Sequence, residues 1–194
     1  MNETTRCHWC ESHPLLTEYH DHEWGVPIVG QVHLFEHFIL EIFQAGLNWL
    51  TMLKKRENFR AAFSGFDPEK IARYSDNNIE ELLGNAGIIR NRSKIQAAIN
   101  NAGAFLNIAD EFDGFWDFVK QFKPETEIIF RTEAEIPATT KESAAMAAEL
   151  KSRGFKFIGP VSAYAYMQGV GIVNDHVETC FRFREINRLR SGKF

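Results

Sequence analysis

The chain has 194 residues, of which 44% are hydrophobic and 17 are phenylalanine, enough for one domain to bury a sizeable core without covalent staples. Its three cysteines, an odd number, argue against a disulfide framework and for metal-ligand or free-thiol roles in a reducing compartment, and no apolar run approaches the roughly 18 residues of a membrane span. The formal net charge of -4 excludes a global attraction to nucleic acid, so such a partner must meet a local basic patch. The expectation is one domain over residues 1–194, cytoplasmic and without membrane contact.

The first informative stretch is "RCHWC" (6–10), followed by "TEYHDHEWG" (17–25). Cys7 and His20 pair naturally with His176 and Cys180 of "NDHVETC" (174–180), the last two standing i, i+4 and so expected on one helix face. Two thiolates and two imidazoles suit a closed tetrahedral zinc site. Cys10, His8, His13 and His22 compete as ligands, and unrelated thiols with surface histidines are the plain alternative.

Next, Phe35, Phe38, Ile39, Ile42 and Phe43 follow the i, i+3, i+4, i+7, i+8 pattern of a helix with one buried stripe. Glu41 lies at the margin of that stripe, three residues after Phe38, where a charge without a partner is costly. With Trp49 downstream and Tyr19 and Trp24 beside His20, it resembles a carboxylate bordered by electron-rich rings, suited to a flat cationic ligand. A helix-surface ion pair and ordinary core aromatics are the competing readings.

Further helices follow. Asp67-Pro68 reads as an N-cap with proline at N1, Ser75 starts a helix containing Ile79, Leu82 and Leu83, and Ile95, Ala98, Ile99 and Ala102 mark another. Phe115, Phe118, Val119 and Phe122 form a short element, and 123–140 reads as a long connection with "EIIF" (127–130) briefly extended. Thr140 caps a helix closed by Gly154, and Pro160 opens the next. The fold class is all-α.

The turn in "LKSRGFKFIGPVSAYAYMQ", within about 150–168, has the logic of a helix-hairpin-helix that grips DNA by its backbone. Gly154 and Gly159 allow close approach, helix-start amides meet phosphate, and Lys151, Arg153 and Lys156 supply charge. An ordinary helix–helix turn is the alternative. Other basic knots stand at Lys54, Lys55 and Arg56 and at Arg90, Arg92 and Lys94. Residues 182–194 hold five basic residues and one acidic, against nine acidic and four basic over 110–142.

"YHDHEWGVP", "LEIFQAGLNWLTMLKKRENFRAAF", "FDPEKIA", "NAGIIRNRSKIQAAINNA", "RGFKFIGP" and "VNDHVETC" occur in an order that closely resembles the bacterial DNA-3-methyladenine glycosylase I (TAG) family. The match runs from Cys7 to Cys180 and is weak over 105–140. The resemblance implies a helix-hairpin-helix glycosylase fold with one structural Zn2+ on Cys7, His20, His176 and Cys180, leaving Cys10 a bystander. It implies a base pocket around Glu41, Tyr19 and Trp49, with Trp9 and Trp24 as supporting walls and Glu41 as the catalytic carboxylate. Leu47 falls where the family fills the gap left by a displaced nucleotide, and Gly154, Lys156 and Gly159 fall on the DNA-binding hairpin. The implied activity is a monomeric, monofunctional glycosylase acting on alkylated double-stranded DNA, releasing 3-methyladenine without strand cleavage. Two departures stand out: Leu16 replaces a frequent tyrosine, and Asn174 takes the place of the wider superfamily's aspartate, with Asp175 adjacent but pointing elsewhere on a helix.

Overall fold

The computed structural model describes residues 5–192 and is helical throughout, with no strand among them. The central element is α2 (Gln31–Gln44), preceded by α1 (Pro14–His22) and followed by α3 (Trp49–Ala62), α4 (Pro68–Ile71) and α5 (Asp76–Gly84). The long α6 (Arg92–Glu111), α7 (Phe115–Val119), α8 (Lys141–Ser152), α9 (Pro160–Gly169) and α10 (Phe181–Ser191) complete the chain.

Local chemistry sets the helix starts. Asp67 accepts from the amides of Glu69 and Lys70 ahead of Pro68, Ser75 and Asn78 form a capping box, and Thr140 and Ser143 form another. Asn48 Oδ1 accepts from the Thr51 amide at 2.8 Å and so begins α3.

The apolar stripe of α2 is buried, but so are all ten residues from Leu34 to Phe43, because α3, α6, α7 and α9 pack around it. Phe38 meets Phe155 and Tyr166, Phe43 meets Phe59, and Phe35 meets Phe105 at ring separations of 4.9–5.4 Å. Each fully buried ring contributes roughly 2–3 kcal/mol of transfer free energy. This packing forces Glu36, His37 and Glu41 inside along with the phenylalanines.

The end of α2 is shaped from a distance. Lys94 Nζ, buried at the start of α6, donates to the carbonyls of Phe43 and Ala45 at 2.9 and 2.8 Å. The chain then turns at Gly46, whose φ of 86° an L side chain adopts only with strain, and leaves Leu47 exposed between α2 and α3. Gly171 serves a different need: a Cβ there would sit 2.5 Å from the Pro27 nitrogen, so the bare backbone lets 25–28 lie against 168–171. Amides of Gly25 and Ile28 donate to the carbonyls of Gln168 and Val170 across that contact.

One expectation is corrected. Residues 174–180 form an irregular turn, not a helix, so His176 and Cys180 do not share a helix face, and Cys180 is the N-cap of α10. The "EIIF" segment lies, as expected, in the 123–140 connection, whose only regular piece is a 3-10 turn at Glu133–Glu135. No helix among the described residues is long and apolar enough to cross a membrane.

The α8–α9 turn is pinned by Asn101 of α6, which is fully buried. Its Oδ1 accepts from the Lys156 amide at 2.8 Å and its Nδ2 donates to the Lys156 carbonyl at 3.0 Å. Asn101→Ala leaves both main-chain groups without partners and should lower the unfolding free energy by roughly 2–4 kcal/mol in urea denaturation. A loss below about 1 kcal/mol would show that this clamp does not hold the turn.

Candidate active site

Glu41 and Glu36 stand on the same helix, both buried, with opposite surroundings. Glu36 Oε1 accepts from Arg56 Nε at 2.6 Å and from Arg60 at 2.9 Å, and Arg56 also binds Glu23. Burial pushes Glu36 up, but Arg56 and Arg60 outweigh it and hold the carboxyl below its ordinary value. Among the described residues Glu41 has no such neighbour. Desolvation alone pushes its pKa up to about 8, so in the free protein at neutral pH it keeps its proton. The cavity is therefore not anionic at Glu41 until something binds.

Glu41 faces a cavity of about 370 Å³. Trp9, Tyr19, Trp24 and Trp49 line it, as do Gln44 from α2, Glu133 and Ile136 from the long connection, and Ala165 and Gln168 from α9. All five residues assigned to the base pocket thus converge. Trp9 and Trp24 meet edge to face at 5.1 Å, and Tyr19 and Trp49 meet at 5.2 Å with planes 54° apart. A planar ring stacked between two others needs them about 7 Å apart and parallel. Tyr19 and Trp49 therefore form one continuous wall rather than two faces of a slot.

Behind that wall lies His37, fully buried, its ring stacked near Trp49 at 6.5 Å. Neither ring nitrogen has a hydrogen-bond partner, nor does Trp49 Nε1, and burial drives the His37 pKa down to about 3. The imidazole is neutral and adds no positive charge behind the cavity. Sequence reading missed His37, Gln44, Gln168, Glu133 and Ile136. Gln44, three residues after Glu41 on the same face, could have been found by helical spacing, whereas the loop residues carry no periodic signal.

Other expected residues are distributed around this cavity. Leu47 is 42% exposed on the turn between the helices bearing Glu41 and Trp49. Gly154, Lys156 and Gly159 lie on the α8–α9 turn, with Lys156 exposed. Arg153, expected to supply charge there, instead binds Glu111 and Glu149 and lies over the Phe112 and Phe118 rings. Arg56, Arg92 and Lys94 of the other knots are likewise committed, to Glu23 and Glu36, to Glu80, and to the α2 terminus. The Gly159 amide donates to Ser162 Oγ at 3.0 Å. Leu16 is buried outside the cavity lining.

Asn174 and Asp175 do not line the cavity, and neither sits on a helix. Asn174 donates to the Phe183 carbonyl and to Asn187 Oδ1, while Asp175 accepts from Tyr164 Oη at 2.6 Å and Gln168 Nε2 at 2.8 Å. Both side chains are engaged in holding the C-terminal segment.

Beside the cavity, Cys7, His20, His176 and Cys180 bring four buried donor atoms within 4.8 Å of one another. His20 Nε2 lies 3.1 Å from His176 Nδ1, Cys180 Sγ lies 3.4 and 3.5 Å from His20 Nε2 and His176 Nδ1, and Cys7 Sγ lies 3.8 Å from His176 Nδ1. A tetrahedral zinc ion with ordinary bond lengths needs edges of about 3.3–3.8 Å. The outer ring atoms support the same reading. His20 Nδ1 faces the Asp21 carboxylate at 2.8 Å and His176 Nε2 faces the Trp24 carbonyl at 3.0 Å, both acceptors, so the protons sit outside and the lone pairs point inward. Within the pair of thiols, the hydrogen bond from Cys7, with His176 and His20, holds Cys180 low, and the same bond pushes Cys7 up. Cys10 donates its thiol to the Cys7 carbonyl and stays outside the set. Four donors close the coordination sphere, so these residues fit a metal that stabilises rather than one that binds substrate.

With this geometry described, known proteins supply a frame. A family model described as methyladenine glycosylase matches residues 9–183. DNA-3-methyladenine glycosylase 1 of Escherichia coli is 48% identical over 177 residues, covering 90% of this chain and 95% of that protein. The crystal structure of a 3-methyladenine DNA glycosylase I superposes with a TM-score of 0.86 at 47% identity, covering 91% of this chain and 98% of the other. A tyrosine-to-phenylalanine variant of such an enzyme, in complex with 3-methyladenine, superposes with a TM-score of 0.87 at 30% identity over 92% and 97%.

Glu41 makes stability depend on pH. Unfolded, it ionises near its ordinary 4.5, whereas folded it keeps its proton to about 8. Between those values the unfolded state has released a proton that the native state retains, so stability falls as pH rises and levels off above about 8. Glu41→Gln should remove this decline, so that at pH 8.5 it melts above the wild type and is more stable by on the order of 5 kcal/mol. Parallel melting profiles from pH 4.5 to 8.5 would contradict the burial argument.

Proposed function

The chain belongs to the methyladenine glycosylase family, and from that membership we infer how its cavity does the work of one. The protein hydrolyses the N-glycosidic bond of 3-methyladenine in alkylated DNA, releasing the free base and leaving an abasic site. The observation behind the residue roles is Glu41, a carboxyl buried beside an aromatic wall with no cation to satisfy it.

A nucleotide methylated at N3 of adenine is cationic and weakly bonded to its sugar. Flipped out of the duplex, it lies against the Tyr19–Trp49 wall, with Trp9 and Trp24 closing the far side. Its positive charge drives the Glu41 proton out to solvent, and the carboxylate left behind accepts hydrogen bonds from the base edge. An uncharged adenine offers no such compensation and leaves the buried carboxyl unpaired. Heterolysis returns the bonding electron pair to the base, neutralising it. Water adds to C1′ and gives its proton to solvent. Asn174 is no base and Asp175 is engaged with Tyr164 and Gln168, so acceleration comes from the electrostatics of the cavity. The reading is of a monofunctional enzyme that leaves the strand uncut.

The α8–α9 pair, about 150–168, acts as a helix-hairpin-helix that grips the DNA backbone through Gly154, Lys156 and Gly159, while Leu47 enters the gap left by the flipped nucleotide. One domain over 1–194, acting as a cytoplasmic monomer, completes the reading. Cys7, His20, His176 and Cys180 hold one structural Zn2+, which when bound supplies rigidity. Because Tyr19 and His20 are neighbours in α1, fixing His20 fixes the aromatic wall.

Incubating methylated duplex DNA with the protein should liberate 3-methyladenine and almost no unmodified adenine, with Glu41→Ala reducing release by about 100-fold. Equal excision of adenine would remove charge selection. Metal analysis of the purified protein should return about one zinc per chain, and Cys180→Ala should lower the melting temperature while leaving turnover well below melting within about threefold. Full stability of a metal-free protein would refute the structural role.

A further inference from the structure

We propose that Glu133 is a second recognition carboxylate at the rim of the cavity, a specificity-determining residue that favours a cationic base over a neutral one. The inference rests on reading the cavity as the base pocket.

Two carboxyl side chains line the cavity, and they reach it by different routes. Glu41 comes from the central helix, fully desolvated, and keeps its proton to about pH 8. Glu133 comes from the connection before α8 and is half-buried at the rim, where water still reaches it. The two carboxyl groups thus stand at different depths, Glu41 within the core and Glu133 at the rim.

Glu133 is also held there. Its Oε1 accepts from the Trp9 main-chain amide at 3.2 Å, a contact across 124 positions that ties the connection to the aromatic wall. The 3-10 turn at 133–135 is closed by hydrogen bonds from the Glu135 amide to the Thr132 carbonyl and from the Ile136 amide to the Glu133 carbonyl. Ile136 then lines the cavity beside it. Among the described residues no ion pair reaches Glu133, so its bond to a neutral amide leaves its charge uncancelled. A cationic base entering the cavity meets this charge first, and Glu41 then ionises against the same cation. Glu133 thus selects at entry and Glu41 selects in the depth.

Glu133→Gln keeps an oxygen acceptor for the Trp9 amide but removes the charge, whereas Glu133→Leu removes both. Two readouts separate them: kcat/KM for release of 3-methyladenine, and affinity for a duplex containing 3-deaza-3-methyladenine, the uncharged isostere. Glu133→Gln should lower kcat/KM about fivefold, the size of one partly solvated charge at several ångströms, and leave isostere binding within about twofold of wild type. Glu133→Leu should weaken isostere binding as well, because the rim comes loose from Trp9. Wild-type behaviour of Glu133→Gln in both assays, or equal losses in both, would overturn the role in charge selection. Identical behaviour of the two variants would overturn the tether. Failure of the wild type to release any base would instead strike the reading of the pocket, and the ratio of binding to cationic and uncharged duplexes would still decide Glu133.

Discussion

A carboxyl group removed from water with no cation to meet it is the constraint on which the rest depends. Glu41 cannot stay ionised in its surroundings, and it cannot move out of them, because α2 is packed on every side by α3, α6, α7 and α9. Its neighbour Glu36 shows the ordinary solution: two guanidinium groups within 3 Å. Glu41 is left to be satisfied by whatever enters the cavity, and a positively charged ring is the ligand that satisfies it best. Phenylalanine packing thus becomes a binding preference, through the cost of desolvating one side chain.

The aromatic wall needs its own support, since it is built from chain segments far apart. Tyr19 and Trp24 flank a segment fixed at several points. His20 turns its Nε2 into the four-donor cluster, Asp21 binds Arg6 through both carboxylate oxygens, Glu23 binds Arg56, and Gly25 donates to Gln168. Arg56 bridges that segment to Glu36 on α2, so the charge network beneath the core and the cavity wall share a residue. At the far end the Phe181 amide donates to the Thr5 carbonyl, bringing the start of α10 against the first described residue. The donor cluster is thus one fastening among several that tie the N-terminal segment to the C-terminal one.

Much of this was legible in the sequence where one periodicity or one spacing dominates. The α2 stripe and the caps at Asp67, Ser75 and Thr140 follow local rules, whereas the joining of Cys7 and His20 to His176 and Cys180 was legible only through the family resemblance. The i, i+4 spacing of His176 and Cys180 misled, because the same separation also suits a tight irregular turn when both residues face one centre. Which arginines were free could not be read either. Arg56 and Arg153 lie in basic clusters by sequence, yet their partners Glu23, Glu36 and Glu111 stand more than fifteen positions away. Glu133 and Ile136 were beyond reach for a related reason: an aperiodic connection gives no hint of which surface it will cross.

The account stands or falls on where the proton of Glu41 resides. Its side-chain carboxyl can be followed by 13C NMR from pH 5 to 9, in the free protein and with a cleavage-resistant 2′-fluoro duplex bound that carries the cationic N3-methylated adenine nucleotide. The account predicts a midpoint near 8 in the free protein and the ionised shift throughout that range in the complex. An ordinary carboxylate midpoint in the free protein, or a carboxyl that stays protonated beside the bound base, would contradict it.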